Sequence, residues 1–267
     1  MGLPIYYDIY PCKGDTCLGQ LLLIHGWGMN SLVWDDLIPL LNDDYEIYIV
    51  DLPGLGRSPI SQDDYNLESM LEQILTIASP RSIWVGWSLG GLVVQLAALN
   101  YPERIEQAYM ISSTPKFVSD DVWPGMSKNI FQQFQDYLQE DWEGTLIRFL
   151  TLQCKGSETI KEDTKKLREY LFYYGLPATK ALRDGLVILG DTDLRKGLTT
   201  VHIPLHFIFG EFDALIPKIV FSHIEELNPL IKTYHVKGAS HASHISHPQK
   251  IKAIIENNQD HDIKASL

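Results

Sequence analysis

Ile83-Trp84-Val85-Gly86-Trp87-Ser88-Leu89-Gly90-Gly91-Leu92-Val93-Val94 carries an apolar, β-branched run into Gly-x-Ser-x-Gly and out into a second apolar run through Gln95-Leu96-Ala97-Ala98. It reads as a buried strand that turns sharply into a helix, with Ser88 at the turn. Such a turn strains the serine backbone and packs its neighbours against adjacent main chain, so the flanking positions accept only small residues. Five positions with two glycines also recur by chance, and an ordinary glycine-rich turn before a helix would look the same. The surrounding chain has to decide.

Working outward, Gln20 to Ile24 is a continuous apolar run of the kind buried on both faces of a sheet, ending in His25-Gly26-Trp27-Gly28. Ser31 is expected to cap a helix running to Leu41, and Tyr45 to Val50 is the next buried strand, closed by the turn formers of Asp51 to Ser58. Leu67 to Ala78 reads as an amphipathic helix and Glu106 to Ile111 as another strand, while Ile5 to Ile9 could supply an edge strand. Strand and helix alternate, which calls for a mostly parallel central sheet with helices on both faces.

From Thr114 to about Leu198 the alternation stops, and helical segments follow at Lys128 to Leu138, Asp141 to Leu152, Ser157 to Tyr174 and Pro177 to Leu189. It resumes with Leu205 to Phe209 as strand, Lys218 to Leu227 as helix, Lys232 to Val236 as strand and Pro248 to Asn257 as the last helix. The expected organisation is therefore one α/β domain over residues 1–267, its core formed by 1–113 and 199–267 and interrupted by a helical lid over about 114–198.

Composition excludes several classes. A net charge of −12 gives no basic surface for general nucleic-acid binding. Neither a secretory signal nor a run long enough to span a bilayer is apparent, so a soluble, cytoplasmic protein acting as a monomer is expected. Three cysteines, Cys12, Cys17 and Cys154, do not make a disulfide framework; Cys12 and Cys17 could pair around Lys13 to Thr16, but a reducing compartment favours free thiols.

In open α/β sheets, ligand-binding residues lie just beyond the carboxyl ends of the strands. Ser88, the Gly210-Glu211-Phe212-Asp213 turn and the Gly238-Ala239-Ser240-His241 turn all stand there, in the order Ser, Asp, His that distinguishes α/β-hydrolases from chymotrypsin-like and subtilisin-like enzymes. A serine hydroxyl needs a base to take its proton, a role assigned to His241; Asp213 would orient the imidazole, with Glu211 as the less favoured alternative. The backbone N–H groups of Trp27 and Leu89 are the expected oxyanion donors, and His25 is expected to shape the loop that carries Trp27. Trp27, Trp87, Trp123 and Phe149 are candidates for an acyl pocket, or plain core. His241, His244 and His247 stand three apart, but Pro248 starts a helix right after them, so no metal is expected, nor any cofactor. Between Gly144 and Tyr170 six basic residues face four acidic ones, which is either a solvated helix face or a docking surface for an acidic partner.

With these residues in view, the chain resembles the pimeloyl-acyl-carrier-protein methyl ester esterases of biotin synthesis. The resemblance spans His25-Gly26-Trp27-Gly28, Asp51 to Ser58, Trp84 to Leu92, Trp123-Pro124-Gly125, Arg148-Phe149-Leu150 and Ile245 to Pro248. It implies an α/β-hydrolase fold, hydrolysis of the methyl ester of a pimeloyl chain borne by acyl carrier protein, a Ser88–Asp213–His241 triad, Trp27 and Leu89 as oxyanion donors, and a pocket that includes Phe149. It also implies that Arg148, Lys161 and Lys165 meet the acidic carrier protein. Lysines at 161 and 165 and Gly144 stand where that family can have arginine, and His244 stands where it usually has an aromatic apolar residue. A short-chain esterase without carrier specificity and a non-catalytic binding protein of the same fold are the alternatives.

Overall fold

A computed structural model describes residues 4–60 and 65–256 of the 267-residue chain. Its strands are β1 (Tyr7–Tyr10), β2 (Gly19–Ile24), β3 (Tyr45–Val50), β4 (Ser82–Trp87), β5 (Ile105–Ile111), β6 (Leu205–Gly210) and β7 (Ile231–Val236). They form one sheet in the order β1-β3-β2-β4-β5-β6-β7, with β1 antiparallel to β3 and every other pair parallel. The continuous apolar runs sit at the centre: all of β4 and β6, and Gln20 to Ile24 of β2, are buried.

The chain runs from β2 outward to β3 and then returns to lay β4 on the other side of β2, pairing Ile24 with Gly86. Strand order therefore reverses between β2 and β4. The loops after these two strands part there and leave a crevice at the carboxyl edge, where open α/β sheets bind ligands. Helices α1 (Ile38–Leu41), α2 (Leu67–Leu75) and α3 (Leu89–Asn100) follow β2, β3 and β4. The pattern behind the predicted parallel sheet is thus realised.

Between β5 and β6 the chain builds a helical cap from α4 (Lys128–Glu140), α5 (Trp142–Cys154), α6 (Ile160–Tyr173), α7 (Thr179–Asp191) and α8 (Arg195–Leu198). The remaining helices are α9 (Ile219–Glu225), α10 (Ser243–Ser246) and α11 (Pro248–Glu256); Asn257, the expected end of α11, lies outside the described residues.

Three of the boundaries that depart from the sequence expectation have local reasons. The helix expected over Ser31 to Leu41 breaks into a 3-10 turn at Ser31–Trp34 and the short α1. The cap of that turn is Asn30, whose side chain accepts the Leu32 N–H, while the Ser31 N–H donates to Asp51 at 2.8 Å. Helix α6 starts at Ile160 because Ser157 and Thr159 both donate their hydroxyls to Asp163, at 3.0 and 2.7 Å, holding the segment before it as a turn. Strand β1 covers Tyr7–Tyr10 and not Ile5 to Ile9, since its pairing with Ile47 to Val50 fixes where it can lie.

Candidate active site

Ser88 has φ 52° and ψ −113°, a conformation that L-residues adopt only when the surroundings impose it. The imposing contacts are glycine-specific. A Cβ on Gly90 would lie 2.3 Å from the Ile24 carbonyl oxygen, and one on Gly86 would lie 2.3 Å from that of Gly90. The turn can close against β2 because those atoms are missing. Ser88 is anchored by its N–H to the Ile111 carbonyl at 2.9 Å, and its own carbonyl accepts from Gly91 at 3.0 Å.

Asp213 lies in the turn after β6 and His241 in the turn after β7. The imidazole Nδ1 is 2.9 Å from Asp213 Oδ2 and 3.1 Å from Oδ1, with both side chains essentially buried. Asp213 Oδ1 also accepts the backbone N–H groups of Leu215 and Ile216, at 2.9 and 3.1 Å, so the carboxylate is fixed before it meets the ring. Facing an acceptor, Nδ1 carries the proton, which leaves Nε2 the basic lone pair. Nε2 is buried and has no hydrogen-bond partner among the described residues. The Ser88–His241 hydrogen bond is not formed in this structure; such contacts often tighten only in the substrate complex. Glu211, the alternative orienting carboxylate, accepts the Gly238 N–H at 3.0 Å and so braces the loop before His241.

The loop after β2 is held from both sides. The Leu52 N–H donates to His25 Nε2 at 2.9 Å, so the ring proton sits on Nδ1, 2.8 Å from the Gly26 carbonyl. Burial lowers the His25 pKa, keeping the ring in this neutral form. From the cap, the Leu182 carbonyl of α7 accepts the Trp27 indole N–H at 2.8 Å. Leu89 opens α3, so its N–H has no acceptor within its own helix and is available at the mouth of the turn.

The family model of the alpha/beta hydrolase fold matches residues 20–248. The chain belongs to that family. A pimeloyl-[acyl-carrier protein] methyl ester esterase of Edwardsiella ictaluri is 37% identical over 236 residues, covering 88% of this chain and 91% of the relative. One of Aeromonas hydrophila is 38% identical, covering 89% of this chain and 94% of the relative. Among solved structures, a bromoperoxidase from Bacillus anthracis superposes with a TM-score of 0.83 at 22% identity, covering 94% of this chain and 93% of that one. An enol-lactonase from Burkholderia xenovorans does so at 0.80 and 15% identity, covering 94% of each chain. At those identities the likeness concerns the alpha/beta hydrolase fold alone.

On this hydrolase scaffold the candidate pocket residues part company. Phe149 stands edge-on to Trp27, ring centroids 5.1 Å apart. Trp87 donates its indole N–H to the His241 carbonyl at 3.0 Å and so fixes the segment that carries the imidazole. Trp123 lies elsewhere: its N–H donates to the Lys116 carbonyl at 3.0 Å, and its ring meets Arg195 and His223, which anchors the start of the cap. It is a cap anchor, not part of the Trp27 cluster.

Arg148, Lys161 and Lys165 are all exposed on the cap, on α5 and α6. Arg148 pairs with Asp141 at 3.6 Å and Lys165 with Glu169 at 3.8 Å. The three spaced histidines do not converge. His241 faces Asp213, His244 packs between Trp34 and Trp87, and His247 Nδ1 meets the Ser246 hydroxyl at 2.8 Å. Among the described residues no group of three or more His, Cys, Asp or Glu side chains could hold a metal.

Several contributors escape a reading of the sequence. Phe134 of α4 joins Trp27 and Phe149, with centroids 5.6 and 5.2 Å away; its only sequence signal is the stripe Phe131, Phe134, Leu138 at helical spacing. Beside this cluster, α4 and α7, with Trp142 of α5, border a half-open cleft of about 450 Å³ whose walls mix Leu138, Leu182 and Leu186 with Gln135, Gln139 and Arg183. Asp51 takes N–H groups from Ser31 and Arg57 and the Arg57 guanidinium at 2.8 Å. That guanidinium is held between the rings of Tyr6 and of Tyr174, which follows α6, at 3.7 and 4.2 Å, and so joins the core to the cap.

Proposed function

We propose that this chain is a cofactor-free serine carboxylesterase that hydrolyses the methyl ester of a pimeloyl group carried by acyl carrier protein, giving free pimeloyl-carrier protein and methanol. The observation that carries the chemistry is the Asp213–His241 pair: its bare Nε2 stands at the same sheet edge as a serine held in a strained turn. In the proposed reaction Ser88 Oγ attacks the ester carbonyl as His241 Nε2 takes its proton. The N–H groups of Trp27 and Leu89 meet the negative oxygen of the tetrahedral intermediate. Collapse expels methanol with the proton returned from His241. Water then attacks the acyl-serine, with His241 again as base, and the free carboxylate leaves. Asp213 keeps the ring in the required tautomer and stabilises its cationic form.

The choice of substrate is supported by the relatives, which are named for that reaction, and by the exposed basic side chains of α5 and α6 on a chain of net charge −12. Lys161, Lys165 and Arg168 recur at one-turn and two-turn spacing along α6. An acidic carrier docked there would place its acyl chain beside the aromatic residues Trp27, Phe134 and Phe149.

The test measures methanol release from the carrier-bound ester and from the free methyl ester, together with fluorophosphonate labelling. Wild-type protein should label at Ser88 and prefer the carrier-bound ester, and Ser88→Ala should abolish both labelling and turnover. Absence of labelling would exclude the serine mechanism. Equal kcat/KM on the two esters would leave a general short-chain esterase. Growth of a biotin-requiring strain that lacks its own esterase, restored by wild-type but not by Ser88→Ala, would tie the activity to the pathway.

A further inference from the structure

Ser240, the residue before His241, is buried and donates its hydroxyl to the Gln153 carbonyl at 2.6 Å, across 87 positions of chain. The acceptor belongs to the last turn of α5, where carbonyls have no N–H left in their own ladder: the Ser157 N–H goes to Cys154 at 3.1 Å and the Lys155 N–H to Leu152 at 3.2 Å. A buried carbonyl of this kind needs a donor from elsewhere, and Ser240 supplies it. The main chain around the hydroxyl is gripped from the core. The Phe212 N–H donates to the Ala239 carbonyl at 2.8 Å, and Gly210 brings β6 so near that a Cβ there would stand 2.1 Å from the Ser240 carbonyl oxygen. Trp87 holds the next carbonyl, that of His241. The imidazole therefore leaves a segment pinned by the core on its carbonyls and by the cap on the Ser240 hydroxyl.

The same helix reaches the other side of the site. Leu146, Phe149 and Gln153 recur at helical spacing along α5. Leu146 fills the space over Gly28, where a Cβ would meet its Cδ1 at 2.7 Å, and Phe149 stands edge-on to Trp27. Gln153 comes one helical turn beyond Phe149, about 6 Å along the axis. After it the turn at Gly156, φ 93°, packs on the Asp213 loop, where a Cβ would meet that of Phe212 at 2.6 Å. One stiff helix thus spans from the loop that carries Trp27 to the loops that carry Asp213 and His241.

We propose that Ser240 is a positioning residue for the hydrolysis: its hydroxyl seats α5 on the His241 loop and so fixes the approach of Nε2 to Ser88 relative to the oxyanion loop. The proposal rests on the reading of His241 as the general base. Ser240 acts through His241 and contributes no group to the reaction. Without the hydroxyl the Gln153 carbonyl is left buried without a donor, and the end of α5 has to part from the loop to reach water. The Asp213–His241 contact, made between two loops of the core, is kept. A displacement of ~1 Å at a reacting group can cost about 10²-fold, so even a partial one is read in kcat.

The experiment compares wild type, Ser240→Ala and Ser240→Cys in kcat and KM on a short-chain p-nitrophenyl ester and in the rate of fluorophosphonate labelling at Ser88, with all kinetics run well below the measured melting temperatures. Ser240→Ala should lose about tenfold in kcat and in labelling rate with KM little changed, while the downfield proton resonance of His241 Nδ1 persists. Ser240→Cys, which keeps a weaker donor of similar shape, should recover part of the loss. A hydroxyl that only holds the cap together would lower the melting temperature and leave kcat as in wild type, and that result would overturn the proposal. So would loss of the Nδ1 resonance in Ser240→Ala, since the fault would then lie in the Asp213 pair. If Ser240→Ala does not fold, Ser240→Cys decides alone: its kcat should lie below that of wild type, and an equal kcat overturns the proposal. Wild-type protein that fluorophosphonate does not label would remove the serine mechanism itself, whereas a labelled wild type matched in rate by Ser240→Ala removes only the role of Ser240.

Discussion

His241 and His244 stand three positions apart and meet opposite environments. His241 has a carboxylate on Nδ1, whereas both nitrogens of His244 are buried without a partner among the described residues, the ring 4.7 Å from each of the Trp34 and Trp87 rings. Asp213→Asn tests the first environment. Its side-chain oxygen can still accept from Leu215 and Ile216, but its amide would donate to His241 Nδ1 and drive the proton onto Nε2. We expect kcat to fall by about 10⁴ with little change in melting temperature; a loss below tenfold would remove Asp213 from its role. The second environment predicts a pH dependence of stability. Desolvation, with a smaller contribution from His241, pushes His244 down to about 3, and burial pushes His206 down to about 4. Both rings bind protons more readily unfolded, so stability is complete above about 6.5 and declines as pH falls from there toward the folded values. Each ring contributes a slope approaching about 1.4 kcal/mol per pH unit. His244→Phe keeps the stacking on both indoles and removes one such proton. Denaturant titrations at pH 7, 6 and 5 should show the slope of this variant reduced by about one proton, and an unchanged slope would contradict the assignment.

At the level of elements, the most consequential joint is α7 against the oxyanion loop. Gly185 leaves a notch in α7 where a Cβ would come 2.8 Å from Trp27 Cδ1 and 3.1 Å from its Nε1, one turn from the Leu182 carbonyl that holds the same indole. Gly185→Ala should push α7 and the loop apart. Losing a whole oxyanion donor costs about 10² to 10³ in kcat, and a displaced one should cost about tenfold, with KM little changed. Wild-type kcat in this variant would show that α7 does not govern the loop. This joint is also where the sequence became illegible. β2, β4 and β6 could be read because strands covered on both faces must be apolar throughout. The helix expected from Ser31 failed because a carboxylate 20 positions away, Asp51, takes the Ser31 N–H. Phe134 and Gly185 carry no local mark of their function, since each matters through a ring brought to it by a different part of the chain.

On the scale of the whole molecule, the residues proposed for the chemistry were legible because the fold forces them to the carboxyl ends of successive strands, where order along the chain becomes neighbourhood in space. Charge is legible in the sequence as a sum, −12, and as a basic stretch between Gly144 and Tyr170, but which of those cations stand exposed together required the fold. The exposed cations of α5 and α6 form a local exception on an acidic body, and Lys161 makes no ion pair among the described residues. The pairs made by Arg148 and Lys165 are exposed, so water and salt leave both side chains free to exchange partners. An acidic carrier protein approaching this molecule feels repulsion from the body and attraction from the patch, and the balance between them shifts with ionic strength. Comparing two proteins that differ only in the patch removes the first contribution. Wild type should exceed Lys161→Glu/Lys165→Glu in kcat/KM on the carrier-bound ester by about tenfold in low salt, since two charge reversals of somewhat under 1 kcal/mol each reach that factor. The ratio should fall toward unity near 1 M salt, where screening acts within about 3 Å. On dimethyl pimelate the ratio should stay at one throughout, because an uncharged small substrate has no use for the patch. A tenfold ratio that salt does not change would mean that the substitutions had damaged the cap, and a ratio of one on both substrates would place the carrier's contact elsewhere on the molecule.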